Sequence, residues 1–267
     1  MNFEFVSFII PVYNVESDIL LKSLKSVSQQ SHKSFEAIIV DDSTDYFCSK
    51  ICSDFCAGDD RFKYIKPTHR LGLVKSLNFG ISLANYDLIA RFDSDDICLD
   101  NRIELQLDFL KKNEHIDILG GFIEVIDRFD QKMFLRKYPC SHNQISKSIH
   151  IECPIAHPSV IIKKTIFDRV GGYDESFKFA EDIDLWLRCL YSGAKFSNMD
   201  LPIVRYRQID TIRNKQHYYY FLKARLKNFK IQYFPFNVYG ILLLIIANLM
   251  PMIFLRIYYK IKYTNKW

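Results

Sequence analysis

Two acidic stretches are the parts of this sequence best suited to chemistry. The first, "IARFDSDDI", runs from Ile89 to Ile97 and ends an apolar run with Asp93, Asp95 and Asp96, three carboxylates within four residues. Like charges this close repel, and burying them without partners is costly. A divalent cation with oxygen ligands would relieve the repulsion. Mg2+ or Mn2+ uses one or two carboxylates and shares its other positions with phosphate oxygens and water. The plainer alternative is a solvated acidic turn capping a helix that starts near Leu99. The second stretch, "GGYDESFKFAEDIDLW", places five acids in eleven residues between Asp174 and Asp184. A general base must stand close to the proton it removes, and Asp182 at a helix N-terminus could do so. The plainer role for Glu181 and Asp182 is to face the open N–H groups of the first helical turn.

The elements that must position these acids can be read from the apolar pattern. "FVSFIIPV" is a buried strand, rich in aromatic and β-branched residues. Residues 16–30 then keep helical spacing, with Ile19, Leu20, Leu24 and Val27 on one side. "FEAIIVDDS" is a second strand, 45–57 a helix, "FKYIK" a third strand, 73–85 an amphipathic helix and "DLIARFD" a fourth strand. Alternating strands and helices predict a Rossmann-like α/β fold, with a mostly parallel central sheet, flanking helices and right-handed crossovers. Ligands of such sheets sit at the carboxyl ends of the strands. Three of these strands end in polar residues there: Tyr13-Asn14, Asp41-Asp42 and Asp93-Ser94-Asp95. The second half predicts a hairpin from "ILGGFIEVID" and "KMFLRKYP", a short strand and helix ending at Gly171-Gly172, and a helix from "AEDIDLWLRCLYSG" ending near Gly193.

Composition narrows the class. The formal charge of +5 is unevenly spread: residues 203–267 hold 12 of the 36 Lys/Arg and one of the 31 acids, Asp210. The other 202 residues therefore hold 24 basic and 30 acidic side chains. A mildly acidic body with a basic, aromatic tail fits a soluble domain with a membrane-facing end, not a nucleic-acid binder. No GxGxxG and no GxxxxGK[ST] occurs, so a dinucleotide site and a P-loop are poorly supported. Cys48, Cys52 and Cys56 recur every four residues, one face of a helix and not the CxxC spacing of a zinc site. They read as reduced structural thiols of a cytosolic protein. The N-terminus lacks a basic n-region and its apolar run stops at Pro11, which predicts a first strand and not a signal peptide. His157 reads as a packing residue or as one that borders the active site, and His69, His115, His142 and His150 as surface residues.

Five segments occur in order and at typical distances: "SFIIPVYN", "IIVDDSTD", "GLVKSLNFGISLANYDLIARFDSDD", "HPSVIIKK" and "GGYDESFKFAEDIDLWLR". In these the chain resembles the family 2 glycosyltransferases of GT-A fold, of the bacterial cell-envelope polysaccharide type, over roughly residues 5–207. The resemblance implies metal-dependent, inverting transfer of a sugar from a nucleotide diphosphate sugar, with Mn2+ or Mg2+ as cofactor. It implies that Pro11, Val12, Tyr13, Asn14 and Glu16 line the nucleotide pocket. Asp42 would meet the base, usually uracil, and Asp93 and Ser94 the ribose side. Asp95, with Asp93, would hold the metal, and Arg70 and Arg91 would neighbour these groups. Asp182 would be the catalytic base with Glu181 beside it, and Asp96 and Trp186 would lie on the acceptor side. The chain departs from the family pattern in three places. The usual "VDDGSTD" lacks its Gly after Asp42. Arg70 stands where Asn is common. Ile209 stands where many members have a His that faces the diphosphate, leaving His217 or Arg213 to substitute or the contact absent.

A domain boundary is expected after residue 207, with 208–267 forming a basic, aromatic, apolar helical tail. Val238 to Leu255 is largely apolar but is interrupted by Gly240, Asn248 and Pro251. A span needs about 20 apolar residues. Lys223, Arg225, Lys227 and Lys230 precede the run, and Arg256, Lys260, Lys262 and Lys266 follow it. A span would carry one cluster across, against the positive-inside tendency, whereas an interfacial helix keeps both beside anionic lipid, with Tyr218, Tyr219, Tyr220, Tyr258 and Tyr259 at headgroup level. Spanning and packing on the body remain open. The expected partners are a nucleotide diphosphate sugar, a lipid-linked or saccharide acceptor and a membrane surface, at the cytoplasmic face of a bacterial inner membrane. Two other readings compete: a catalytically inactive nucleotide-sugar-binding scaffold, and a nucleotidyltransferase that makes the activated sugar. The second would call for a Gly-rich, Lys-bearing loop, which "PVYNVESDILLKS" lacks.

Overall fold

The computed structural model describes residues 4–208 and 215–251. Its first part alternates as expected: β1 (Val6–Val12), α1 (Ser17–Ser28), β2 (Phe35–Asp41), α2 (Tyr46–Gly58), β3 (Phe62–Ile65), α3 (Leu73–Leu83) and β4 (Leu88–Arg91). Every residue of β1 and β2 is buried, so their sequences are largely apolar and not alternating, with Ser7 hydrogen-bonded to Glu36 within the sheet. The order β3-β2-β1-β4 is parallel throughout. The register sets Val12 opposite Asp41 and Ile9 opposite Arg91, so these strand ends open on one rim. Cys48 and Cys52 are buried on the inner face of α2 with Cys56 half-buried, and the described cysteines are free thiols.

The second part comprises β5 (Ile97–Cys98), α4 (Arg102–Lys112), β6 (Ile118–Ile126), β7 (Lys132–Arg136), α5 (His142–Ser148), β8 (Ile161–Lys163), α6 (Lys164–Val170), α7 (Glu181–Tyr191) and β9 (Phe196–Arg207). It extends the sheet to the order β3-β2-β1-β4-β8-β6-β9-β5, with β7 on β6. β8 runs antiparallel to both β4 and β6, and β9 runs parallel to β6. The expected β6–β7 hairpin is present, and α6 ends at Gly171, whose positive φ of 81° closes the helix. The helix expected near Leu99 starts at Arg102, after the two-residue β5.

β9 was not legible in the sequence. "FSNMDLPIVRYR" carries Asn, Asp and Pro, which argue against a central strand. The register shifts on both sides of Phe122, which faces Pro202, so the residue without an N–H sits at the irregularity.

The tail forms α8 (Lys215–Lys227) and α9 (Phe234–Leu249). α8 is anchored on the body. Arg225 Nε donates to the His150 carbonyl at 2.7 Å, and Asn228 donates to the buried Asp184 at 2.9 Å. Lys227 pairs with Asp174 and, at 3.3 Å, with Asp184. His150, expected at the surface, is fully buried under the tail. Its ring lies 4.5 Å from that of Tyr233, and burial pushes its pKa down to about 4. α9 meets the same residue: a Cβ on Gly240 would lie 1.9 Å from the His150 carbonyl oxygen. The apolar run is therefore docked on one side. On the other, Leu242, Ile246 and Leu249 stand more than half exposed. By length and composition the helix Ile231–Leu249 could cross a membrane. The later basic cluster and Tyr258 and Tyr259 lie outside the described residues, as do Ile209 and Arg213.

Candidate active site

The acidic turn follows directly from β4. Arg91, the last residue of that strand, is buried and donates from Nη1 to Asp93 Oδ2 at 2.5 Å. Ser94 is buried. No other described residue hydrogen-bonds the Asp95 carboxylate, and burial together with the Asp93 charge pushes its pKa up to about 6. This is an under-satisfied carboxylate beside a second one, the state a cation would relieve. Among the described residues no three metal-ligating side chains cluster. A cation held by Asp95 and Asp93 would thus draw its remaining ligands from phosphate oxygens and water, which suits Mg2+ or Mn2+.

Asp96 corrects an expectation. It is fully buried, accepts from the Arg207 backbone N–H at 2.8 Å, and burial with the neighbouring Asp93 and Asp95 charges raises its pKa well above the usual range. It has no surface to offer an acceptor. Arg207, the last residue of β9, donates from Nε to the Asp95 carbonyl at 2.8 Å and pairs with Asp130 at 2.5 Å. It ties the acidic turn to the loop between β6 and β7.

A shelf lies at the ends of β1 and β2. The Arg70 guanidinium sits 4.2 Å above the Tyr13 ring. Asp42 accepts from the backbone N–H groups of Leu71 and Gly72 at 2.6 and 2.7 Å, and Gly72 supplies the positive φ of 78° that the loop requires. Tyr13, Arg70 and Asp42 thus stand together, an aromatic face, a cation and a carboxylate. Asn14 is spent elsewhere: its side chain accepts from the Thr44 and Asp45 N–H groups at 2.9 and 3.0 Å, locking one loop to the next. Pro11 and Val12 are buried within β1, so their side chains support the rim from beneath. Glu16 is exposed, 3.3 Å from Arg128.

The opposite wall is the start of α7. Ala180, the residue before it, adopts a left-handed φ of 60°, a conformation that costs a residue with a Cβ about 1–2 kcal/mol. It sets Glu181 and Asp182 into different surroundings. Glu181 is buried, and burial followed by the Asp182 charge pushes its pKa up to about 8, so it is largely protonated near neutrality. Asp182 is half-exposed, and its Oδ2 accepts from Cys153 Sγ at 3.4 Å. Of the two, Asp182 is the accessible carboxylate. His157 is buried and held neutral by that burial; its Nε2 lies 2.7 Å from the Tyr173 hydroxyl and its Nδ1 3.8 Å from Glu181. Trp186, expected on the acceptor side, is fully buried edge-on to His157 and Phe196, and backs the site instead of facing it.

A cavity of about 610 Å³ lies between the acidic turn and the start of α7; Tyr13, Asp42, Arg70 and Asp95 are outside its lining. Asp93 and Arg91 line it from the acidic turn, Asp182, Cys153 and His157 from the α7 side, Tyr206 from β9, and Leu243, Leu244 and Ala247 from α9. The two acidic clusters singled out in the sequence therefore face one space.

The model of the family described as "Glycosyl transferase family 2" matches residues 7–171, more than half of the chain. The chain is a family 2 glycosyltransferase. The Escherichia coli "UDP-Gal:alpha-D-GlcNAc-diphosphoundecaprenol beta-1,3-galactosyltransferase" is 30% identical over 95% of this glycosyltransferase and 94% of its own length. The E. coli "O-antigen biosynthesis glycosyltransferase WbnJ" is 30% identical over 76% of this chain and 80% of its own. Among solved structures, S. aureus TarS residues 1–349 superpose with a TM-score of 0.66 at 17% identity, covering 89% of this chain and 70% of that one. That likeness establishes the GT-A-type fold, which the family match and the mixed sheet also support.

Sequence reasoning missed part of the cavity lining. Cys153 lies in "IECPIAHPS", near enough to the "HPS" segment to have been considered, but a thiol carries no pattern of its own. Arg225 was read only as one charge in a basic cluster. Arg136 and Lys137 sit at the end of a strand that exposes nothing unusual in sequence, yet both line the cavity.

Proposed function

We propose that this glycosyltransferase moves a sugar from a uridine diphosphate sugar to a hydroxyl of a lipid-linked acceptor, with inversion, during bacterial surface-polysaccharide assembly. One observation carries the reading: Asp93 and Asp182 line one cavity, and the apolar face of α9 forms another part of its wall. The name of the E. coli galactosyltransferase supports the donor and acceptor class, and that of WbnJ supports a role in surface-polysaccharide assembly.

The residues divide the work by environment. The Tyr13, Arg70 and Asp42 shelf receives the base, and Asp93, fixed by Arg91, faces the ribose. A divalent cation bound by Asp95 and Asp93 would offset charge developing on the departing diphosphate. Arg207 keeps that turn in place through the Asp95 carbonyl. Asp182 takes the proton from the acceptor hydroxyl as its oxygen attacks the sugar from the opposite face. One displacement with one base inverts the anomeric carbon and needs no covalent sugar–enzyme intermediate, by analogy with inverting hydrolases. Glu181, protonated near neutrality, is unsuited to be that base. The exposed side of α9 suits the interfacial zone of the cytoplasmic leaflet, as a peripheral contact that concentrates a lipid-linked acceptor near Asp182.

Thermal unfolding with UDP, with and without Mn2+, tests the donor half. A Mn2+-dependent stabilisation is expected, weakened in Asp95→Ala and retained in Asp182→Asn. Asp182→Asn should lose roughly 10²–10⁴-fold in transfer, the span of a general base. Normal transfer by Asp182→Asn would remove the base assignment.

A further inference from the structure

Arg225 is a buried cation without a carboxylate. It is 2% exposed, and among the described residues no acid lies within ion-pair distance of it. Burial pulls its pKa down to about 10, and the Asp182 and Glu152 charges act on it only at longer range. Its one hydrogen bond runs from Nε to the His150 carbonyl. The terminal nitrogens make none to any described residue, although the side chain lines the cavity. The buried Arg102 shows how this fold satisfies a guanidinium when it has no ligand to wait for. That side chain donates to the Gln106 side chain and to the carbonyls of Arg91 and Val160. The terminal donors of Arg225 thus open onto the cavity without a partner among the described residues, and a planar pair of phosphate or carboxylate oxygens is what such a fork fits.

The position of Arg225 is specific. The His150 carbonyl that receives its Nε is also the atom against which Gly240 packs. Arg225 therefore stands beside α9 at Gly240. Leu243, Leu244 and Ala247 follow on the same helical face, at three, four and seven residues, and line the cavity. Two more cations, Arg136 and Lys137, line it as well. One wall is thus apolar, cations stand beside it, and Asp182 lies in the same space. The site suits a molecule with a hydrocarbon chain, a phosphate group next to it and a hydroxyl beyond.

We infer that Arg225, with Lys137 and Arg136, forms an anion subsite, separate from that of the donor, for the diphosphate of an isoprenoid-diphosphate-linked sugar acceptor, whose hydrocarbon chain lies along the inner face of α9. The inference rests on the glycosyltransfer reading and adds the acceptor's linkage chemistry and the residues that read it. Charge-assisted bonds from a guanidinium to phosphate are short and directional, so the subsite would hold the acceptor in register as well as bind it.

Farnesyl diphosphate is a suitable probe, titrated calorimetrically into the full chain with saturating UDP and Mn2+ so that the donor site is filled. It should bind at least tenfold more tightly than farnesol or inorganic pyrophosphate. Arg225→Gln should weaken it at least tenfold. Lys137→Glu, at an exposed position where folding is safe, should weaken it about threefold or more. Both variants should keep the Mn2+-dependent UDP stabilisation. Displacement of farnesyl diphosphate by UDP would place the anion in the donor site and overturn the inference, as would unchanged affinity in Lys137→Glu. Equally tight, Lys137-dependent displacement by phosphatidylglycerol vesicles would overturn it in favour of a bilayer headgroup. Loss of the UDP stabilisation in the unmodified chain would instead sink the glycosyltransfer reading, so the two failures are distinct.

Discussion

Gly240 lies in the interior of α9, where replacing glycine by alanine ordinarily stabilises a helix by about 0.8–1 kcal/mol. The tertiary contact predicts the opposite sign. An added Cβ would sit 1.9 Å from the His150 carbonyl oxygen, 2.9 Å from its carbon and 3.3 Å from Ile151 Cα, all backbone atoms that cannot swing aside. Ordinary contact distances are about 3.5 Å or more, so α9 must retreat by roughly 1.5 Å. Overpacking of this kind costs about 1–3 kcal/mol. For a chain of this size each kcal/mol lowers the unfolding midpoint by about 2–4 °C. The retreat also carries Leu243, Leu244 and Ala247 away from the cavity they line, so the acceptor KM should rise while the donor KM holds. Differential scanning calorimetry and transfer kinetics on Gly240→Ala measure both, with Leu242→Ala on the exposed side as a control expected within about 0.5 kcal/mol of the parent. A Gly240→Ala protein that is more stable than the parent and has unchanged acceptor kinetics would refute the docking of α9 on His150.

Three further outcomes follow from the site. Burial raises the folded pKa of Glu181 to about 8 from its ordinary 4.5, so between these pH values the folded chain holds a proton that the unfolded chain releases. Stability should fall as pH rises through that window, with a limiting slope of about 1.4 kcal/mol per pH unit; Glu181→Gln should flatten it in urea titrations at pH 5, 6.5 and 8, and identical pH dependence in the two proteins would contradict a protonated Glu181. Cys153 lines the cavity 3.4 Å from Asp182, so N-ethylmaleimide should abolish transfer and Cys153→Ser should resist it; equal inactivation of both would locate the sensitive thiol elsewhere. Arg207→Met removes the donor to the Asp95 carbonyl and the pairing with Asp130, and it should weaken the Mn2+-dependent UDP stabilisation about tenfold or more in apparent affinity, a loss that leaves no trace if the turn holds itself.

The sequence by itself determined the parallel part of the sheet and the rim at its carboxyl ends. Strands buried on both faces are largely apolar, and the helices between them must keep an apolar stripe, so both patterns survive in one dimension. It also determined that Asp93 and Asp95 end a strand and that Asp182 begins a helix, because turn residues and helix starts have local signatures. What only the tertiary structure decided is which of these acids remain available. Asp96 and Trp186 differ from their useful neighbours in burial, and burial raises the pKa of Glu181. These depend on contacts from residues far away in the chain, such as Arg207 on Asp96 and His157 on Trp186. β9 was hidden for the same reason, since Pro202 is tolerated only because the opposing strand slips register there. The tail shows the point most plainly: Gly240 interrupts an apolar run in the sequence, but in the fold it is a position where two backbones approach too closely for a side chain, and that contact decides which face of α9 is left exposed.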